Sequence, residues 1–284
     1  MKNPKALFLF MITLLLLVLP SCTTSSIDIT KIGKNEEVGR YINIRGFKMY
    51  YEIYGKGEPL LLIHGNGGSM NNFVHQVPYF SESYKVIVAD SRAQGNSADA
   101  GDSLSYEMMA DDFNALLDSL HLDSCYVIGW SDGAINGLLL AMRHPEKVKK
   151  LVASSANLYP DTSAIDPFFY NWLLNYSDSL KKTEQSPEVK NERKLTNLMI
   201  FEPHITIKQV SEIRCPTLVT GGDHDMIPAK HTLLIAESIP KSYVWIVPNS
   251  GHGTPIAHRD LFNETVNDFF KKPYRKIEGM ERLR

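Results

Sequence analysis

The stretch Cys125-Tyr126-Val127-Ile128-Gly129-Trp130-Ser131-Asp132-Gly133-Ala134-Ile135 decides how the chain is read. Its first half, Cys125–Trp130, is a short apolar run without alternation, as a strand buried on both faces requires. Its second half opens a helix, because Ile135, Leu138, Leu139 and Met142 return at helical spacing over Asp132–His144. The junction Gly129-Trp130-Ser131-Asp132-Gly133 is a G-x-S-x-G. Two glycines allow strand and helix to close tightly around one serine. Ser131 is then held in a strained turn above the sheet, at the positive end of a helix.

Working outward, short apolar runs recur at Pro59–Ile63, Tyr84–Ala89, Lys150–Ala153, Thr217–Thr220 and Tyr243–Val247. Tyr41–Arg45 and Phe47–Tyr54 read as two strands around Gly46. Between the runs lie helical patterns at Ser105–Leu120, Ala229–Ser238 and Arg259–Phe270. Strand and helix alternate, which predicts an α/β domain: a mostly parallel, doubly wound sheet with helices on both faces. The segment from about 158 to 212 breaks the alternation, with helical patterns at Pro167–Tyr176 and Glu188–Phe201. It reads as a small helical cap over the carboxyl edge of the sheet.

A serine needs a base to take its proton as it attacks. His252, in Asn249-Ser250-Gly251-His252-Gly253 just after the last strand, is the candidate. His75, His121, His144, His204 and His258 fall on helices, on their ends or in the insertion. The base needs an acid to fix its tautomer. Thr217–Gly222 runs into Asp223-His224-Asp225, which offers Asp225, with Asp223 as the lesser option. A metal set of Asp223, His224, Asp225 and His231 lacks the matching spacing of a further ligand cluster, so no metal is expected.

With Ser131, Asp225 and His252 in that order, the chain from about Tyr41 to Phe270 resembles the α/β-hydrolase superfamily. The resemblance extends to Leu62-Ile63-His64-Gly65, to Asp90-Ser91-Arg92-Ala93-Gln94-Gly95-Asn96-Ser97 and to Gly251-His252. Ala93 stands where the family usually has Gly. The resemblance implies an eight-stranded sheet. It also implies an oxyanion hole made by the backbone N–H groups of Asn66, after His64-Gly65, and of Asp132. His64 itself reads as a buried hydrogen-bonding residue. The turn Gly129-Trp130-Ser131-Asp132-Gly133, an elbow that presents the serine, is similar to that of hydrolases acting on amino-acid esters and of related small-molecule esterases. Asp132 is therefore either a contact for a substrate ammonium or a helix cap. Phe168 and Trp172 of the insertion either line a substrate pocket or dock the cap onto the sheet.

This reading expects a serine hydrolase cleaving a small-molecule carboxylic ester through an acyl-enzyme, with no cofactor. An aminopeptidase, a lactonase or a cofactor-free perhydrolase would use the same residues. A non-catalytic surface binding protein is the alternative of another class.

Composition sets the surroundings. With 30 Lys+Arg, 32 Asp+Glu and a net charge of -2, the 284 residues carry no basic excess that would favour nucleic acid. From Ala6 to Leu19 every residue except Thr13 is apolar, and Lys2 and Lys5 precede it. Fourteen helical residues span about 21 Å, short of a bilayer core of about 30 Å, so the run suits a signal peptide rather than an anchor. Leu19-Pro20-Ser21-Cys22 resembles the lipobox of bacterial lipoproteins, although Pro20 occupies a place where a small residue is usual. Residues 1–21 are thus expected to be removed and Cys22 lipidated, with 22–40 as a polar tether and 41–284 as the domain. The protein would be exported and membrane-anchored. Of the three cysteines, Cys125 and Cys215 open apolar runs and read as buried free thiols.

Overall fold

The computed structural model describes residues 27–283. The expected signal peptide, Cys22 and the first part of the tether lie outside them. Among the described residues, no helix is long and apolar enough to cross a membrane.

Among the described residues, eight strands form one sheet: β1 (Arg40–Ile44), β2 (Phe47–Tyr54), β3 (Glu58–Ile63), β4 (Tyr84–Ala89), β5 (Cys125–Trp130), β6 (Val148–Ser154), β7 (Thr217–Gly222) and β8 (Ser242–Val247). Their spatial order is β1-β2-β4-β3-β5-β6-β7-β8. The first two pairings, β1 with β2 and β2 with β4, are antiparallel, and all others are parallel. This is the mostly parallel α/β sheet that the alternating runs predict, with the eight strands that the resemblance implies.

The helices are α1 (Gln76–Ser81), α2 (Tyr106–Ser119), α3 (Asp132–Arg143), α4 (Pro167–Lys182), α5 (Pro187–Phe201), α6 (Ile207–Val210), α7 (Ala229–Ser238), α8 (Thr254–Ala257) and α9 (Arg259–Lys271). Side chains of one strand alternate between two cores. Leu61 and Ile63 pack with Phe113, Leu138 and Ile235 on one face, whereas Leu60 and Leu62 pack with Phe80, Phe262 and Val266 on the other. Both faces being apolar, the strands carry no alternation in sequence. Helix α4 runs six residues past the expected Tyr176, because Ser177 and Leu180 continue its buried stripe. The short α1, α6 and α8 have too few residues to show a period.

The cap is smaller than the 158–212 insertion. Leu158, Ile205 and Val210 belong to the main core, as does Leu198 near the end of α5, which leaves α4 and the earlier turns of α5 as the cap. Lys194 of α5 bonds Asp99 at 2.8 Å, and Asp99 accepts from the buried Arg92 at 3.0 Å. Arg92 in turn pairs with Asp112 at 2.7 Å. The cap is therefore pinned through an ion-pair chain to α2.

The tether expectation needs correction within the described residues. Asp28 accepts from Thr30 N–H at 3.0 Å to start a short 3₁₀ turn, and Ile32 is buried. The N–H groups of Gly33 and Asn35 both donate to Glu52 at 3.0 Å, with Tyr50 and Tyr54 hydroxyls donating at 2.7 and 2.6 Å. Glu52 is fully buried. A buried carboxylate requires such donors, so the polar segment 27–38 is a strap rather than a free linker.

Candidate active site

Ser131 follows β5 with φ 56° and ψ -123°. This region is strained for a residue with a side chain. Close packing around it holds the strain in place. A Cβ on Gly133 would stand 1.9 Å from the carbonyl oxygen of Ile63, and one on Gly129 would stand 2.1 Å from that of Gly133. The Ser131 N–H donates to Ser154 O at 2.8 Å, which ties the turn to β6.

His252 follows β8 and Asp225 follows β7, so all three candidates stand at the carboxyl edge of the sheet. His252 Nε2 lies 2.9 Å from Ser131 Oγ, and His252 Nδ1 lies 2.7 Å from Asp225 Oδ1. With the carboxylate accepting from Nδ1–H, the ring is the tautomer whose Nε2 accepts the serine proton. Asp225 is fully buried, and burial alone would raise its pKa. The hydrogen bond and charge of His252, the Ile227 N–H and the Ser155 hydroxyl outweigh burial and hold it below the ordinary value.

Asp223 points elsewhere, to Ser250 N–H at 3.0 Å and His224 Nδ1 at 2.8 Å on the surface. His231 accepts from Leu158 N–H at 3.0 Å, so the four residues weighed as a metal set face three different ways. His64 Nδ1 meets Gly65 O at 2.8 Å, while Nε2 accepts from Ser91 N–H at 2.9 Å. Burial lowers its pKa. It is a neutral strut between two loops.

Two further partners hold the site, and one of them, Ser155, lies outside the motifs. Ser155 Oγ donates to Asp225 Oδ2 at 2.6 Å, and Trp130 Nε1 donates to His252 O at 2.8 Å. Ser155 also has a positive φ, 62°, and follows β6 as Ser131 follows β5. A polar residue directly after a core strand was the available signal. Ala93, where the family has Gly, likewise takes φ 65°. The usual glycine avoids that strain.

Ser131 and His252 open into a cavity of about 410 Å³ lined by Asn66, Trp130, Asp132, Trp172 and Glu202 among others. A Cβ on Gly65 would stand 3.1 Å from Ser131 Cβ, so the loop after β3 touches the serine. Among the described residues, the backbone N–H groups of Asn66 and Asp132 have no protein acceptor.

Asp132 does not cap α3: Ser131 is the N-cap, and no side chain caps it. The Asp132 carboxylate instead accepts from Asn66 Nδ2 at 2.8 Å and is 4% exposed. Burial pushes its pKa up to about 6, against hydrogen bonds from Asn66 and Tyr106 that pull it down. Trp172 lines the cavity, stacked at 5.5 Å on Phe169. Phe168, expected beside it, lies one turn earlier on the same side of α4, yet it is 83% exposed and outside the lining.

The chain belongs to the α/β hydrolase fold family, whose sequence pattern matches residues 58–202. It is similar to a protein of Caulobacter sp. (strain K31) provisionally named a carbamate hydrolase, at 28% identity over 258 residues, covering 78% of this chain and 95% of the relative. It is also similar to a 2-hydroxymuconate semialdehyde hydrolase of Pseudomonas sp. (strain CF600), at 24% identity, covering 82% of this chain and 94% of that one. Among solved structures, a hydrolase from Pseudomonas aeruginosa PA01 superposes with TM-score 0.71 at 19% identity, covering 84% of this chain and 100% of that one. The protein is a hydrolase of this fold.

Proposed function

We propose that the protein is a serine hydrolase that cleaves a small-molecule carboxylic ester through an acyl-enzyme. The carrying observation is the continuous hydrogen-bonded chain Ser131 Oγ–His252–Asp225 at the floor of a cavity. Ser131 Oγ attacks the carbonyl carbon as its proton passes to His252 Nε2, and Asp225 stabilises the imidazolium that forms. The backbone N–H groups of Asn66 and Asp132 receive the negative charge that develops on the carbonyl oxygen. His252 then protonates the leaving alkoxide. Water attacks the acyl-enzyme with His252 again as base, releasing the acid and restoring Ser131.

Labelling by a fluorophosphonate probe tests this reading. Wild type should label and Ser131→Ala should not. No labelling of wild type would refute catalysis and leave the non-catalytic binding protein. A panel of p-nitrophenyl esters, lactones and aminoacyl amides separates ester hydrolysis from the lactonase and aminopeptidase alternatives. Perhydrolysis is separated by adding hydrogen peroxide.

The apolar run Ala6–Leu19 and the Leu19-Pro20-Ser21-Cys22 junction support export, with a lipid on Cys22. Globomycin should cause the unprocessed chain to accumulate. Processing unaffected by globomycin, with no incorporation of labelled palmitate, would leave a secreted protein.

A further inference from the structure

Asn66 presents its backbone N–H beside Ser131, yet its side chain does separate work. The amide nitrogen donates to Asp132 Oδ2 at 2.8 Å and to the carbonyl oxygen of Leu195 at 3.2 Å. The first bond reaches the residue directly after Ser131. The second reaches helix α5 of the cap.

The loop holding Asn66 is fixed at its start, where His64 Nδ1 meets Gly65 O at 2.8 Å, but has few bonds beyond that point. Gly65, Gly67 and Gly68 surround it, Gly67 sits at φ 63°, and one turn bond, Gly68 N–H to Gly65 O at 3.2 Å, closes it. Glycine-rich backbone has the widest conformational freedom. A donor displaced by about 1 Å loses much of its effect on a developing oxyanion. Asp132, by contrast, is rigid: it is the first residue of α3, buried, with the Tyr106 hydroxyl also directed at its carboxylate.

We propose that the Asn66 side chain is a clasp that positions the oxyanion hole, locking its own loop to Asp132 on one side and to the cap helix α5 on the other. The two backbone donors then converge on one point, and seating of the cap and alignment of the donors become a single event. The side-chain chemistry fits this role. A primary amide offers two N–H groups in one plane, one for each partner. An aspartate in its place would set a second carboxylate against Asp132. Asn66 is a positioning residue here, acting through backbone groups. The proposal rests on the reading that Ser131 attacks a carbonyl.

Steady-state kinetics on a neutral p-nitrophenyl ester test it, with Asn66→Ala, Asp132→Ala, their double variant and Asp132→Asn. Each alanine variant should lower kcat about ten- to hundredfold with KM nearly unchanged, since a transition-state donor is loosened. The double variant should be no worse than the poorer single one, because both remove the same bond. Asp132→Asn keeps an oxygen facing Asn66 and should restore most of the activity lost in Asp132→Ala. Affinity for a trifluoromethyl ketone, which forms an anionic adduct on Ser131, should fall in step with kcat/KM. If Asp132→Ala fails to fold, Asn66→Ala and Asn66→Gln carry the same comparison.

Multiplicative losses in the double variant, or losses confined to KM, would overturn the clasp while leaving the serine hydrolase intact. So would a loss in Asp132→Asn restricted to ammonium-bearing esters, which would make Asp132 a substrate contact. A wild type that neither turns over esters nor labels with a fluorophosphonate overturns the hydrolase reading itself, and the clasp falls with it.

Discussion

Ser155 and His252 grip opposite oxygens of one carboxylate: Ser155 Oγ donates to Asp225 Oδ2 at 2.6 Å while His252 Nδ1 meets Oδ1 at 2.7 Å. The carboxylate is buried, so each hydrogen bond to it counts. Under the proposed mechanism Ser155 sets the plane in which Asp225 receives the imidazole. Ser155→Ala should lower kcat/KM on a simple ester by about tenfold, the worth of one hydrogen bond to a charged group. The melting temperature should also fall by several degrees, since the buried Oδ2 keeps only the Gly222 N–H at 3.4 Å. Unchanged kinetics would leave Ser155 with a packing role only.

Asp132 predicts a pH dependence of stability. Its carboxyl is pushed from 3.8 up to about 6 by burial, so the folded protein binds this proton more tightly than the unfolded chain does. The resulting stability is fully present below about pH 4 and is lost as pH rises through about 6, to the extent of about 3 kcal/mol. Asp132→Asn has no proton to lose. Its melting temperature should gain on wild type between pH 4 and pH 7. A difference independent of pH would contradict the assigned burial of the charge.

Glu52 anchors the strap. Its two oxygens accept four donors, from Gly33, Asn35, Tyr50 and Tyr54. Glu52→Gln replaces one acceptor oxygen with a donor and sets N–H groups against N–H groups. The expected loss is about 2–4 kcal/mol, comparable with breaking a buried charged network. Trypsin should then cut after Lys31 and Lys34 in the otherwise folded protein. Equal resistance to trypsin in wild type and variant would show that the apolar contacts of Ile32 suffice.

Gly133 permits the approach of α3 to β3. An alanine Cβ there would stand 1.9 Å from Ile63 O and 2.8 Å from His64 O, both backbone atoms that cannot step aside. Gly133→Ala should therefore displace the elbow. Fluorophosphonate labelling should fall to background, with a lower melting temperature. Labelling at wild-type rates would mean that the strand and helix can separate without moving Ser131.

Much of the fold is written locally. The limits of β2, β4 and β5 and of helix α7 coincide with their apolar runs, because burial on both faces of a sheet, or along a helix stripe, leaves an apolar run or a repeat over a few residues. The order Ser131, Asp225, His252 is likewise legible, since each stands just after a core strand in a parallel sheet, where side chains meet at the carboxyl edge. Other features are not local. The strap at 27–38 reads as a polar linker until Glu52 is seen beneath it. Phe168 and Trp172 look alike in sequence, and only the pose of α4 separates solvent from cavity.

The same division holds at the site. Local sequence suffices for the strands, the turn at Ser131 and the residue types able to attack, accept a proton and orient the base. Tertiary structure alone decided that Asp225, rather than Asp223, meets His252, that Ser155 completes it, and that Asn66 joins the elbow to the cap. The physical reason is range. Periodicity and turn chemistry act over a handful of neighbouring residues. Ser155 and Asp225 are 70 residues apart, and Asn66 and Leu195 are 129 apart. Such pairs have no repeat to betray them, because their hydrogen bonds exist only once the sheet has brought distant strand ends to one edge.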